Sequence, residues 1–277
     1  MSSSIEVTGR ASSPRRTRPL VRRVGWVCSA AAAGALLLGV VTRGSIGAAQ
    51  ATDGSSARAA SAAAAPNPNH SPNIDPANFV RRIDNPLFPL KPGTVFKLRG
   101  FSEDEVEHER ITVTHRTKRI LGVDTRVVKD VVRVDGALAE LTFDWYAQDR
   151  AGNVWYFGEN TAEYENGEVV SREGSWKAGV DGARAGIIMN ATPRVTDSYR
   201  QEFAPGEAED MYWVVNRGEK RTVPFGTFDQ VVRTLEWTRL EPNIVVQKHY
   251  APGIGLIAER ALSGPREVVQ LIDVDRP

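Results

Sequence analysis

The sequence predicts an all-β protein: an antiparallel curved sheet or barrel built from two similar units, with a short helix or loop between them. Three observations predict it. Beyond residue 79, apolar residues recur with a period of two rather than 3.6. Glycine-containing turn pairs separate those runs. Several short motifs also return about 104 positions later, which points to an internal duplication.

Residues 1–51 read as an export signal. They hold seven Arg against one acid, Glu6, and an uncharged stretch over 24–41 rich in Ala, Leu and Gly. Ala49-Gln50-Ala51 offers a small-x-small cleavage site, and Arg22-Arg23 partly fits a twin-arginine signal. Arginines ahead of the apolar stretch place the N-terminus inside and the body outside. Eighteen residues rising about 1.5 Å each would just span a bilayer, so an uncleaved leader would anchor the chain there, its only expected tie to a membrane. Cys28, the one cysteine, lies inside this stretch, so a cleaved chain has no disulfide, thiolate metal site or cysteine nucleophile. Residues 52–78, mostly Ala, Ser, Pro, Asn and Gly, are too poor in large apolar groups to pack and read as a flexible tether. Residues 79–277 then form a single all-β domain.

Within the body, Ile111, Val113 and His115 alternate with threonines, and Leu141, Phe143 and Trp145 alternate with Thr142 and Asp144. Val231, Leu235 and Trp237 share one strand face, as do Ile244, Val246 and Tyr250. Turns are expected at Asp135-Gly136, Asn166-Gly167, Arg217-Gly218 and Pro252-Gly253, the first two as two-residue hairpins. Leu121-Gly122 matches Phe225-Gly226, Val127-Val128 matches Val231-Val232, and Tyr146-Ala147 matches Tyr250-Ala251. The units therefore run over about 92–158 and 193–262. Between them the glycine-rich stretch 178–186 should be a loop or one short helix near the sheet's mouth. Closing the sheet would remove its edges, which otherwise invite aggregation.

Once the leader is set aside, 28 basic and 33 acidic residues remain, a net charge of −5. A body of that sign lacks the field that attracts nucleic acid. The sequence contains no G-x-S-x-G, Walker A, G-x-G-x-x-G or H-E-x-x-H pattern. His108, His115 and His249 are scattered, so no metal or cofactor is expected. Asp149-Arg150-Ala151-Gly152-Asn153 has the oxygen-rich look of a calcium loop but reads better as a turn. The acid patch 207–210 reads as solvated.

The densest chemical feature is 144–176, which holds seven of the chain's 21 aromatic residues interleaved with Asp144, Asp149, Glu159, Glu163, Glu165, Glu168 and Glu173. Either the rings line a pocket and the acids hydrogen-bond or catalyse there, or the rings pack inward and the acids face solvent.

Asn85-Pro86-Leu87-Phe88-Pro89-Leu90-Lys91-Pro92-Gly93-Thr94, Asp144-Trp145-Tyr146-Ala147-Gln148-Asp149 and Tyr250-Ala251-Pro252-Gly253-Ile254-Gly255-Leu256 resemble segments of a group of secreted bacterial proteins without an assigned activity. The resemblance covers about 80–262. The segment 224–229, with the Tyr-Ala-Pro-Gly turn, is also similar to the closing hairpins of lipoprotein-carrier (LolA-like) half-barrels, which implies a curved sheet around an apolar ligand. Neither resemblance supplies a catalytic residue.

The expected function is extracytoplasmic binding of a small apolar or amphipathic molecule in an aromatic-lined β cavity. The candidate lining residues are Trp145, Trp155, Tyr156, Trp176, Trp237 and Tyr250. One alternative is an enzyme acting on a glycan or secondary metabolite through a carboxylate such as Asp144 or Glu159. Another is a cell-surface interaction module without a pocket.

Overall fold

The computed structural model of the protein describes residues 74–102 and 105–277. The expected export signal and all but the end of the expected tether lie outside them. Ile74 packs on the core, and Pro76–Asn78 forms a 3-10 turn capped by the Asp75 side chain.

Sixteen strands follow in one antiparallel system. They are β1 (Phe79–Val80), β2 (Val95–Ser102), β3 (Glu105–Ile120), β4 (Val123–Val134), β5 (Ala137–Asp149), β6 (Val154–Glu165), β7 (Glu168–Ser171) and β8 (Trp176–Lys177). The rest are β9 (Arg184–Met189), β10 (Ser198–Arg200), β11 (Glu202–Phe203), β12 (Asp210–Val223), β13 (Gly226–Thr238), β14 (Val245–Ala251), β15 (Gly255–Ser263) and β16 (Glu267–Asp275). The main path runs β10-β12-β13-β14-β15-β16-β2-β3-β4-β5-β6-β9-β11. Its two ends are consecutive on the chain, since only Gln201 separates β10 from β11. The segment 198–203 thus pairs with β12 through one half and with β9 through the other. The Gln201 amide donates to the Asp210 carbonyl at 2.8 Å. The result is a nearly closed barrel with few free edges.

The order β2-β3-β4-β5-β6 repeats as β10-β12-β13-β14-β15. Val95 and Ser198 open corresponding strands 103 positions apart, and Ile120–Val123 and Val223–Gly226 close corresponding hairpins at the same spacing. Asp135-Gly136 and Asn166-Gly167 do form two-residue turns, and all four residues have positive φ. Two expectations change. The second long hairpin turns at Pro224-Phe225, and Gly226 already belongs to β13. Arg217-Gly218 lies inside β12, where Gly218 (φ +81) accommodates a register shift. A glycine with positive φ serves a bulge as readily as a turn. Of the two options for the connection, a loop is realised: 178–183 is a turn leading into β9.

The barrel interior is polar as well as apolar. On β3, Glu107 and Glu109 keep the phase of buried Ile111 and Val113. On β5, Thr142, Asp144 and Tyr146 are buried on one face, while on the other Leu141 and Phe143 are half-buried and Trp145 is buried. On β13, Thr234, Glu236 and Thr238 point inward, with Leu235 and Trp237 half-buried outside. The apolar sets of these two strands therefore mark the outer face, the reverse of a simple hydrophobic-in pattern. The acid patch at 207–210 is also not solvated: Glu209 and Asp210 are buried. Ionised carboxylates without a partner would be costly there. Glu209 pairs with Arg239, whereas Glu109 lies beside Asp130 and Glu202 beside Asp210, and burial with each neighbour's charge pushes Glu109 and Glu202 well above the usual carboxylate range.

Candidate functional site

The segment 154–177 assembles a site through one irregularity. Across the β5–β6 ladder, Asp144 faces Glu159 and Tyr146 faces Tyr156, so Trp145 on one strand opposes both Phe157 and Gly158 on the other. The extra residue lets Tyr156 and Glu159 point to the same side despite their odd spacing. Gly158, at φ +124, carries the distortion. A Cβ there would lie 2.3 Å from the Trp176 carbonyl oxygen, so only glycine lets β8 dock.

The Tyr156 hydroxyl then sits 2.9 Å from Asp144 Oδ1 and 3.0 Å from Glu159 Oε2. One hydroxyl hydrogen cannot serve two carboxylates, so a protonated carboxyl donates the other bond. Burial, followed by the Asp130 charge, pushes the Asp144 carboxyl well above the usual range. Tyr146 stacks on Tyr156 at 4.8 Å, and the Trp176 ring meets Tyr156 edge-on at 5.3 Å. The Trp176 indole N–H donates to Glu202 Oε2 at 2.8 Å.

Beside this group opens a cleft of about 970 Å³, within the size of a small-molecule site. Its apolar lining comes from Val127, Phe143, Trp145, Trp176, Ala183 and Ala204. Phe143 and Trp145 are the residues of β5 that alternate away from Asp144 and Tyr146, whereas Trp176 and Glu159 come from the Tyr156 side. The turn at 180–183 and the segment 204–207 contribute its remaining walls. Arg116, Lys118 and Lys177 line it as well. Lys118 Nζ stands 3.3 Å from the centroid of the Trp145 ring, a cation–π contact. Partial burial and the nearby Lys177 charge lower the Lys118 pKa.

Of the sequence candidates, Trp145, Trp176 and Glu159 line this cleft. Trp155 does not: its ring packs against Phe79 and its N–H donates to Asp149. Tyr156 is wholly buried beneath the cleft. Tyr250 donates to Glu236 at 3.1 Å in the second unit, and half-buried Trp237 pairs across with Met211. Asp144 lies behind Glu159. The expected turn at 149–153 is closed by Asp149, whose carboxylate accepts from the Asn153 amide, the Asn153 side chain and Trp155. Among the described residues, no three His, Cys, Asp or Glu side chains converge in a way that could hold a metal. His249 is buried and pushed down to about 4 by desolvation, then by Arg221 and Arg233. Sequence reasoning missed Arg116 and Lys118. The signal available was their sequence spacing, two positions apart and in phase with Thr114.

Fold and site together define a nearly closed, duplicated β-barrel with a mixed aromatic and charged cleft on its first unit. No protein-family model matches the chain, and no curated protein matches it. Among solved structures it is similar to a Bacteroides fragilis protein described as exported and as having a YmcC-like fold. That likeness has 13% identity and a TM-score of 0.40, over 69% of this chain and 99% of the other. A Parabacteroides distasonis protein described as a lipoprotein is similar at 13% identity and a TM-score of 0.36, over 68% and 98%. No residue role is carried over from either. No helix of the described residues is long and apolar enough to cross a membrane.

Proposed function

We propose that this protein works outside the cytoplasm, delivered by its arginine-rich leader, and binds a small amphipathic molecule in the first-unit cleft. The observation that carries the reading is the cleft itself: about 970 Å³ walled by Trp145, Trp176 and Phe143. Aromatic walls supply apolar contact, while the charged residues beside them suit a ligand with a polar end. The resemblance to lipoprotein-carrier half-barrels implies a similar kind of cargo. Titration of intrinsic fluorescence with single-chain amphiphiles tests it. Binding should quench or shift the emission, and Trp176→Ala should weaken binding about tenfold or more. Trp213→Ala, at an exposed position outside the cleft, should leave it unchanged. Equal binding by both variants would move the site elsewhere.

A second reading, hydrolysis of a glycan or secondary metabolite, is favoured by one observation. Glu159 lines the cleft while sharing the Tyr156 hydroxyl with Asp144, so a protonated carboxyl lies at or just behind the wall. Turnover abolished by Glu159→Gln, with amphiphile binding intact, would establish it.

A further inference from the structure

We infer that the cleft selects an amphiphile with an anionic head, carboxylate or phosphate, held between Lys118 and Lys177. This inference rests on the cleft being the ligand site and adds the head-group chemistry. Arg116 and Lys118 come from β3 and Lys177 from β8; all three line the cleft. Among the described residues no carboxylate forms an ion pair with Lys118 or Lys177, whereas Lys97 pairs with Asp273 and Lys248 with Glu236. Lys118 is partly buried, faces only the Trp145 ring, and is repelled by Lys177. An anion entering between them would relieve that repulsion and gain charge-assisted hydrogen bonds from both ammonium groups.

The acids of the cleft do not compete for these lysines. Glu207 accepts the Gly174 amide at 2.5 Å, Glu159 is buried on the Tyr156 hydroxyl, and Asp181 lies on an exposed turn. The anionic end therefore meets the lysines while the tail lies along Phe143, Trp145 and Trp176. Lys118 plays a double part: its ammonium caps the Trp145 ring and marks where the apolar wall ends.

Calorimetric titration of the purified protein with dodecanoate, dodecyl phosphate, dodecyl maltoside and dodecyltrimethylammonium tests the inference. Both anionic probes should bind at least about tenfold tighter than the cationic one, and salt should weaken them. The tighter of the two tells a carboxylate from a phosphate ligand. Lys118→Gln, which keeps most of the aliphatic stem and removes the charge, should cost the anionic probes about tenfold and dodecyl maltoside less than about twofold. Lys177→Ala, at an exposed position, should act in the same direction and cannot be confused with misfolding. Equal affinity for all four heads would overturn the inference and leave the cleft reading intact. Binding of none would overturn both.

Discussion

The two units share a strand order but place opposite charges at one pair of corresponding buried positions. In the first, Asp144, Glu159 and Tyr156 meet with no buried cation among them. In the second, the position 104 residues after Asp144 is Lys248, whose ammonium lies 3.0 Å from Glu236 and 3.6 Å from Glu259. Tyr146 and Tyr250 correspond in the same register, and so do Trp145 and His249. At this position the second unit supplies its own buried cation, and His249 is buried where Trp145 lines the cleft. The first must hold protons, and beside it the chain leaves an open cleft. A duplicated frame thus supports one half with a buried lysine set between acids and another half with an open, lysine-lined cleft.

The largest effect should follow from removing the second unit's counter-ion. Lys248→Met leaves Glu236 and Glu259 buried without their cation and should cost about 3–5 kcal/mol. Adding Glu236→Gln and Glu259→Gln should recover much of that loss in denaturant unfolding. If the single variant unfolds like the parent, the two halves do not differ as described.

A smaller effect, the dependence of stability on pH, sharpens the comparison. Burial, aided by neighbouring acids, raises Glu140 to about 7 and Asp144 well above the usual range; burial raises Glu259 to about 8 even with the Lys248 charge opposing it. A carboxyl raised in the fold binds more protons there than in the unfolded chain. Its contribution is complete below the unfolded value, near 4, and is lost as pH rises through the folded one. Stability should therefore fall between about pH 5 and 8, lowering Tm on the order of 5 °C. His249, pushed down to about 4, acts oppositely and costs stability only as pH falls below about 6. Asp144→Asn keeps a hydrogen-bonding side chain beside Tyr156, removes one titrating acid and should flatten the alkaline fall. An unchanged slope would place the proton elsewhere.

Much of the fold was legible because strand alternation and glycine turns are local signals. Asp135-Gly136 and Asn166-Gly167 specify their hairpins through φ alone. The facing of β5 and β13 was not legible: alternation tells which residues share a face but not which face is enclosed, and here Asp144 and Glu236 are inside. A clue lay in β3, where Glu107 and Glu109 continue the phase of Ile111 and Val113. Trp145 and Trp176 stood out by ring density. Lys118 and Lys177 did not, because β3 and β8 come to line one cleft only after the Gly158 bulge lets β8 dock on β6.

The most direct test of the contrast between the halves is a crystal structure of the protein with bound dodecanoate. The account predicts one chain lying between Trp145 and Trp176, with its carboxylate within about 3 Å of Lys118 Nζ, and nothing at the corresponding place around His249. A chain seated in the second unit, or inside the barrel among the buried acids, would contradict it.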